Sequence, residues 1–139
     1  LAQHRVDWRW LAGFFDGEGY VGWNHRRGTN SMTITVMISN TYRPAIDVLV
    51  AWFGGRVQSV PKRKPHHKAQ YRWWCYAGTT KRFLEGILPF ALVKRRQIEL
   101  ALEAFALIGR RGKRVSSDNM SRRLVLAAAM KEECHREWL

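Results

Sequence analysis

The chain has 139 residues, 46% of them hydrophobic, enough for one compact domain with its own core; this excludes a disordered tail and a fibrous repeat. Its 24 Lys plus Arg against 11 Asp plus Glu give a formal charge of +13, a field that attracts polyanions, of which nucleic acid is the commonest. The two distant cysteines, Cys75 and Cys134, argue against a disulfide framework or a CxxC zinc site, and no apolar run reaches the roughly 20 residues that span a bilayer.

Asp7 is placed to cap a helix running Trp8-Arg9-Trp10-Leu11-Ala12-Gly13-Phe14-Phe15, with Gly17 and Gly19 as its stop. Tyr20 to Arg26 reads as a strand, and a turn from Arg26 to Asn30 leads into a second, Met32 to Ile38. There Ile34, Val36 and Ile38 alternate with Thr33 and Thr35, the period of a half-buried strand. Pro44 suits a helix start, and Ile46, Leu49, Val50 and Phe53 carry helical spacing up to Gly54-Gly55. Arg56 to Lys62 and Gln70 to Ala77 form a second strand pair around a basic loop. Thr79 is placed to cap a short helix to about Gly86. Pro89 precedes a longer helix bearing Ile98, Ala101, Leu102 and Phe105, Gly109 to Val115 is a basic loop, and Ser117 caps a last helix ending near Trp138.

The expected fold is α+β, in the order αββαββα, with one antiparallel saddle-shaped sheet and helices on one face. The other face stays polar and basic, as an antiparallel sheet with one wet side allows. A single domain over residues 1–139 is expected, with a core at about 7–108 and a helical extension at about 109–139. The cations are spread over strands, loops and helices rather than one amphipathic face, which argues against a membrane surface. With no secretory segment after Leu1, the expectation is an intracellular protein of cytoplasm, nucleoid or organelle.

Chemistry concentrates in Leu11-Ala12-Gly13-Phe14-Phe15-Asp16-Gly17-Glu18-Gly19. Asp-Gly and Glu-Gly pairs alone would serve as a polar helix stop. Gly13 inside a helix costs about 1 kcal/mol against Ala, a cost that makes sense where another backbone must approach closely. The nonapeptide resembles the LAGLIDADG motif of homing endonucleases, with Leu, Ala, Gly, Asp, an acid and Gly at the matching places. Two further stretches extend the resemblance: Ile38-Ser39-Asn40 before the second helix, and Pro89-Phe90-Ala91-Leu92-Val93-Lys94 before a later one.

The resemblance is to single-motif members and implies a homodimeric, site-specific, intron-encoded endonuclease that hydrolyses both strands of duplex DNA at a pseudo-palindromic site, leaving short 3′ overhangs. It implies Glu18 and the Gly17 carbonyl as ligands of Mg²⁺, which Mn²⁺ could replace, with Glu18, Lys94 and Asn40 as the catalytic set. The acid is Glu18 where Asp is also common, and Asn40 stands where some members carry Gln. Leu11, Ala12, Gly13, Phe15 and Asp16 are the expected dimer interface, through the motif helix. His66 and His67 lack metal-ligand spacing.

A sheet of this kind can lie in the major groove, where base edges are distinguishable. Alternation nominates Tyr20, Asn24 and Arg26 on the first strand and Ser31, Thr33 and Thr35 on the second. It adds Arg56, Gln58 and Lys62 on the third strand and Gln70, Arg72 and Trp74 on the fourth. Arg63, Lys64, Lys68, Arg110, Arg111, Lys113 and Arg114, with Lys62, suit phosphate contacts. Two other readings stay open. One is a non-catalytic binder on the same fold, an intron RNA maturase or a DNA-binding regulator, for which intron RNA is a further partner. The other is a ribosomal-type RNA-binding protein, suggested by charge and size.

Overall fold

Asp7 caps the first element as its position predicts: its carboxylate accepts a 3.1 Å hydrogen bond from the Trp10 N–H, and helix α1 runs Trp8–Glu18. The computed structural model describes residues 5–25, 31–108 and 116–135. The expected Arg26–Asn30 turn, the Gly109–Val115 loop and the end of the last helix at Trp138 lie outside these residues.

Strands β1 (Gly19–His25) and β2 (Met32–Asn40) pair antiparallel, Gly19 opposite Ile38 and His25 opposite Met32. Helix α2 (Arg43–Phe53) follows, with Pro44 in its first turn and Gly54 (φ 69°) at its C-terminus. Strands β3 (Arg56–Val60) and β4 (Gln70–Tyr76) form the second hairpin, and β2 pairs with β4, so the sheet order is β1-β2-β4-β3. Helices α3 (Gly78–Ile87), α4 (Arg95–Ile108) and α5 (Ser117–Cys134) complete the chain. Several boundaries differ from expectation, three of them at a strand end or a helix cap named from the sequence. Strand β3 stops at Val60, short of Lys62. Helix α3 starts at Gly78 behind Ala77 (φ 59°), so Thr79 lies inside it and no side chain caps it. In α5 the cap is Ser116, whose Oγ accepts from the Asn119 N–H, one residue before the expected Ser117.

The helices cover one face of the sheet. From that face Val21, Ile34, Val36, Ile38, Trp73 and Cys75 enter a core shared with Leu11, Phe15, Ile46, Leu49, Phe53, Phe83 and Ile98. Phe83 packs edge-on against Phe15 at 5.5 Å between ring centroids. The ring of Trp8 lies over Gly86, where any Cβ would fall inside it, so the indole packs directly on the α3 backbone. The Arg123 guanidinium is buried against the end of α4 and donates to the Leu107 and Ile108 carbonyls at 2.7 and 3.2 Å, tying α5 down. Among the described residues, no helix is long and apolar enough to cross a membrane.

Candidate functional site

Helix α1 ends at the edge of the sheet, and a pair of reciprocal contacts fixes it there. The Asp16 carboxylate accepts from the Leu92 N–H (2.8 Å) and the Lys94 N–H (3.0 Å), just ahead of α4. In return the Lys94 ammonium donates to the Phe15 and Asp16 carbonyls, at 3.1 and 2.9 Å. An acid thus sits at the positive end of α4 and a cation at the negative end of α1, each complementing a helix dipole. Burial lowers the Lys94 pKa from its ordinary value, while the negative charges of Asp16, Glu18 and Cys134 work the other way. Gly19 turns the chain from α1 into β1 against the Phe15 ring, where a Cβ would collide. Glu18 therefore projects, exposed, from a point held on both sides.

The carboxylate of Glu18 makes no hydrogen bond or ion pair with another described residue. With Tyr20, Met37, Ser39 and Arg72 it lines an open hollow of about 360 Å³. Two of the four helix-terminal carbonyls of α1, those of Phe15 and Asp16, are taken by Lys94, and the Gly17 and Glu18 carbonyls have no intrahelical partner. One free carboxylate and nearby carbonyl oxygens suit a hard cation, which takes oxygen ligands. Among the described residues there is no cluster of three His, Cys, Asp or Glu, so further ligands would come from phosphate, water or a second copy.

From this hollow the uncovered face of the sheet extends in register rows. Ser39, Arg72 and Gln58 form the row beside Glu18. Tyr20, Met37, Trp74 and Arg56 form the next, followed by Gly22, Thr35 and Tyr76, and then Asn24 and Thr33. Gln70, opposite Val60, lies on this face at the far end of β4. Lys62, Arg63, Lys64 and Lys68 are exposed in the β3–β4 loop. No Asp or Glu occurs from Gly19 to Tyr42 or from Gly54 to Leu84, so all four strands and that loop are free of acids. Ion pairs sit on helices instead, as in Arg43–Asp47, Lys81–Glu85, Arg96–Glu99 and Arg122–Glu103. Among the described residues, no salt bridge involves a cation of the open face.

Nine of the nominated base readers thus share one surface: Tyr20, Asn24, Thr33, Thr35, Arg56, Gln58, Gln70, Arg72 and Trp74. Ser31 is exposed at the start of β2. Arg26, Arg110, Arg111, Lys113 and Arg114 lie outside the described residues.

Two of the nominated sets have surroundings other than those expected. Asn40 does not face the hollow: it continues the inward parity of Ile34, Val36 and Ile38 onto the helix side, and its Oδ1 accepts from the Tyr42 N–H at 2.7 Å. Ser39 takes the place beside Glu18, and extending the alternation of Thr33 and Thr35 by two steps would have found both Met37 and Ser39. The other set is the expected dimer interface. Leu11, Ala12 and Phe15 are fully buried in the chain's own core, and the Asp16 carboxylate accepts from the Leu92 and Lys94 N–H groups. What α1 leaves open is Gly13 and Gly17, where an added Cβ would meet nothing, beside Arg9 and Trp10.

No protein-family model and no curated protein matches the sequence. Solved structures do share the fold. An archaeal intron-encoded homing endonuclease, I-Vdi141I, complexed with DNA, superposes with a TM-score of 0.71 at 19% identity, over 93% of this chain and 84% of that one. The homing endonuclease I-CvuI in complex with its target gives a TM-score of 0.71 at 19% identity, over 94% of this chain and 83% of that one. The LAGLIDADG meganuclease I-AabMI, bound to uncleaved DNA, gives 0.69 at 16% identity, over 90% of this chain but 45% of that one.

Proposed function

We propose that the chain is one subunit of a homodimeric, site-specific double-strand DNA endonuclease of the LAGLIDADG type. The observation that carries this reading is Glu18: a carboxylate with no hydrogen bond or ion pair among the described residues, at the border of an acid-free, cation-bearing sheet face. The match to about half of a meganuclease chain supports pairing of two copies, each bringing one such acid. The copies would meet along the open Gly13 and Gly17 side of α1, which places the two Glu18 carboxylates near a twofold axis and makes the preferred site pseudo-palindromic.

Duplex DNA would lie against the open face, with Arg56, Gln58, Asn24 and the threonines at base edges and Lys62, Arg63, Lys64 and Lys68 on phosphates. Glu18 and the Gly17 carbonyl would hold Mg²⁺, or Mn²⁺ in its place. When bound, that ion supplies a water of lowered pKa and charge neutralisation at the phosphate. Lys94 fixes the end of α1 and adds positive potential beside Glu18. Ser39 and Arg72, in the same hollow, are placed to hydrogen-bond the water and the scissile phosphate.

The test is cleavage of duplex DNA by wild type and Glu18→Gln, with and without Mg²⁺. The expected result is metal-dependent double-strand cutting that drops about a thousandfold in the variant, the scale of several kcal/mol of lost transition-state stabilisation, while DNA binding persists. Tight binding without cutting in either metal would instead favour a maturase or a DNA-binding regulator.

A further inference from the structure

The second register row of the open face differs from its neighbours. Tyr20, Met37 and Trp74 lie side by side across three strands, with Arg56 at the outer end. The rows around it carry Ser39, Arg72 and Gln58 on one side and Thr35 with Tyr76 on the other. Tyr20 is 51% exposed, and Met37 and Trp74 are half-buried. An apolar band therefore crosses a face otherwise built to hydrogen-bond, where it contributes nothing to the chain's own core.

Resting on the nuclease reading, we propose that this row is a specificity determinant that reads the 5-methyl group of thymine in the major groove. The thymine methyl is the apolar feature of a major-groove base edge, and apolar side-chain surface recognises it by contact. The Met37 thioether, flexible and polarisable, sits between two aromatic rings and fills that role. The cations Arg56 and Arg72 flank the row and match the charge of a duplex. The half-burial of Trp74 within the sheet leaves less ring free than a stacking platform for single-stranded bases would use. Rows are two residues apart, about 6.8 Å, and base pairs about 3.4 Å apart, so the preferred thymines lie about two base pairs outward from the Glu18 row.

The test begins with wild-type protein and a pool of randomised duplexes of about 30 base pairs, three helical turns, from which bound sequences are recovered in Ca²⁺ at moderate salt. Each thymine of the recovered consensus is then replaced singly by deoxyuridine, which removes only the methyl. The expected result is a symmetric pair of positions at which deoxyuridine weakens binding about fourfold, the equilibrium equivalent of one buried methyl. Met37→Gln should lose that sensitivity there and keep the rest of the consensus. A recovered consensus in which no deoxyuridine substitution weakens binding overturns the methyl reading and leaves the nuclease reading standing. Recovery of no duplex consensus, with preferential binding of single-stranded RNA, overturns both. Mapping on the wild-type protein requires no variant to fold.

Discussion

Trp73 and Trp74 are neighbours in the chain and opposites in the fold. Trp73 is fully buried, donates its indole N–H to the Gly54 carbonyl at 2.8 Å and packs among Phe53 and Phe83. Trp74 lies on the uncovered face between Met37 and Arg56. The same contrast runs through β2, where Ile34, Val36 and Ile38 face the helices and Thr33, Thr35, Met37 and Ser39 face outward. One face holds the chain together. The other can vary without unfolding it, which suits a surface whose task is to match an external partner.

Replacing each tryptophan in turn sharpens this contrast. Trp73→Ala should cost about 4 kcal/mol of stability by urea denaturation, the range of a large core truncation. Trp74→Ala should stay within about 1 kcal/mol and weaken DNA binding instead. Equal losses of stability would mean that the two faces are not energetically distinct.

Cys75 probes the buried face through pH. Burial pushes its thiol from the usual 9.0 up to about 11, with hydrogen bonds from Thr80 and the Val36 backbone opposing that shift. The folded chain keeps this proton where the unfolded chain has lost it. Its contribution to stability is therefore fully present below the unfolded value of 9.0 and is lost as pH rises toward about 11, by about 2–3 kcal/mol in all. The stability difference between wild type and Cys75→Val, followed from about pH 8 to about pH 11, should change by that amount. A flat difference would mean that the thiol is reached by water.

The Asp16 contacts join the two regions. Asp16→Ala removes a charged acceptor from two N–H groups and should cost about 2 kcal/mol in denaturant; under the nuclease proposal, cleavage should fall with it as Lys94 and Glu18 lose their mutual position. The smallest effect belongs to the outer loop. Lys62→Ala combined with Lys64→Ala should reduce the slope of log binding constant against log salt by about 2, with little change in sequence preference or stability.

The sequence by itself determined the order of the elements and where Glu18 falls among them. The Asp7 cap, the alternation in β2, the helical spacing of Ile46, Leu49 and Phe53 and the glycines after them are local signals, because each depends on backbone geometry within a few residues. The nonapeptide placed Glu18 at a helix end for the same reason. Tertiary structure alone decided the rest. Helical spacing does not say which face of α1 meets its own core, so Leu11, Ala12 and Phe15 turned inward and left Gly13 and Gly17 open. Pairing of β2 with β4 brought Arg72 opposite Ser39 in the hollow beside Glu18. The clasp between Asp16 and Lys94 joins residues 78 positions apart, a proximity that no local pattern encodes and that only the packing of α1 against the start of α4 supplies.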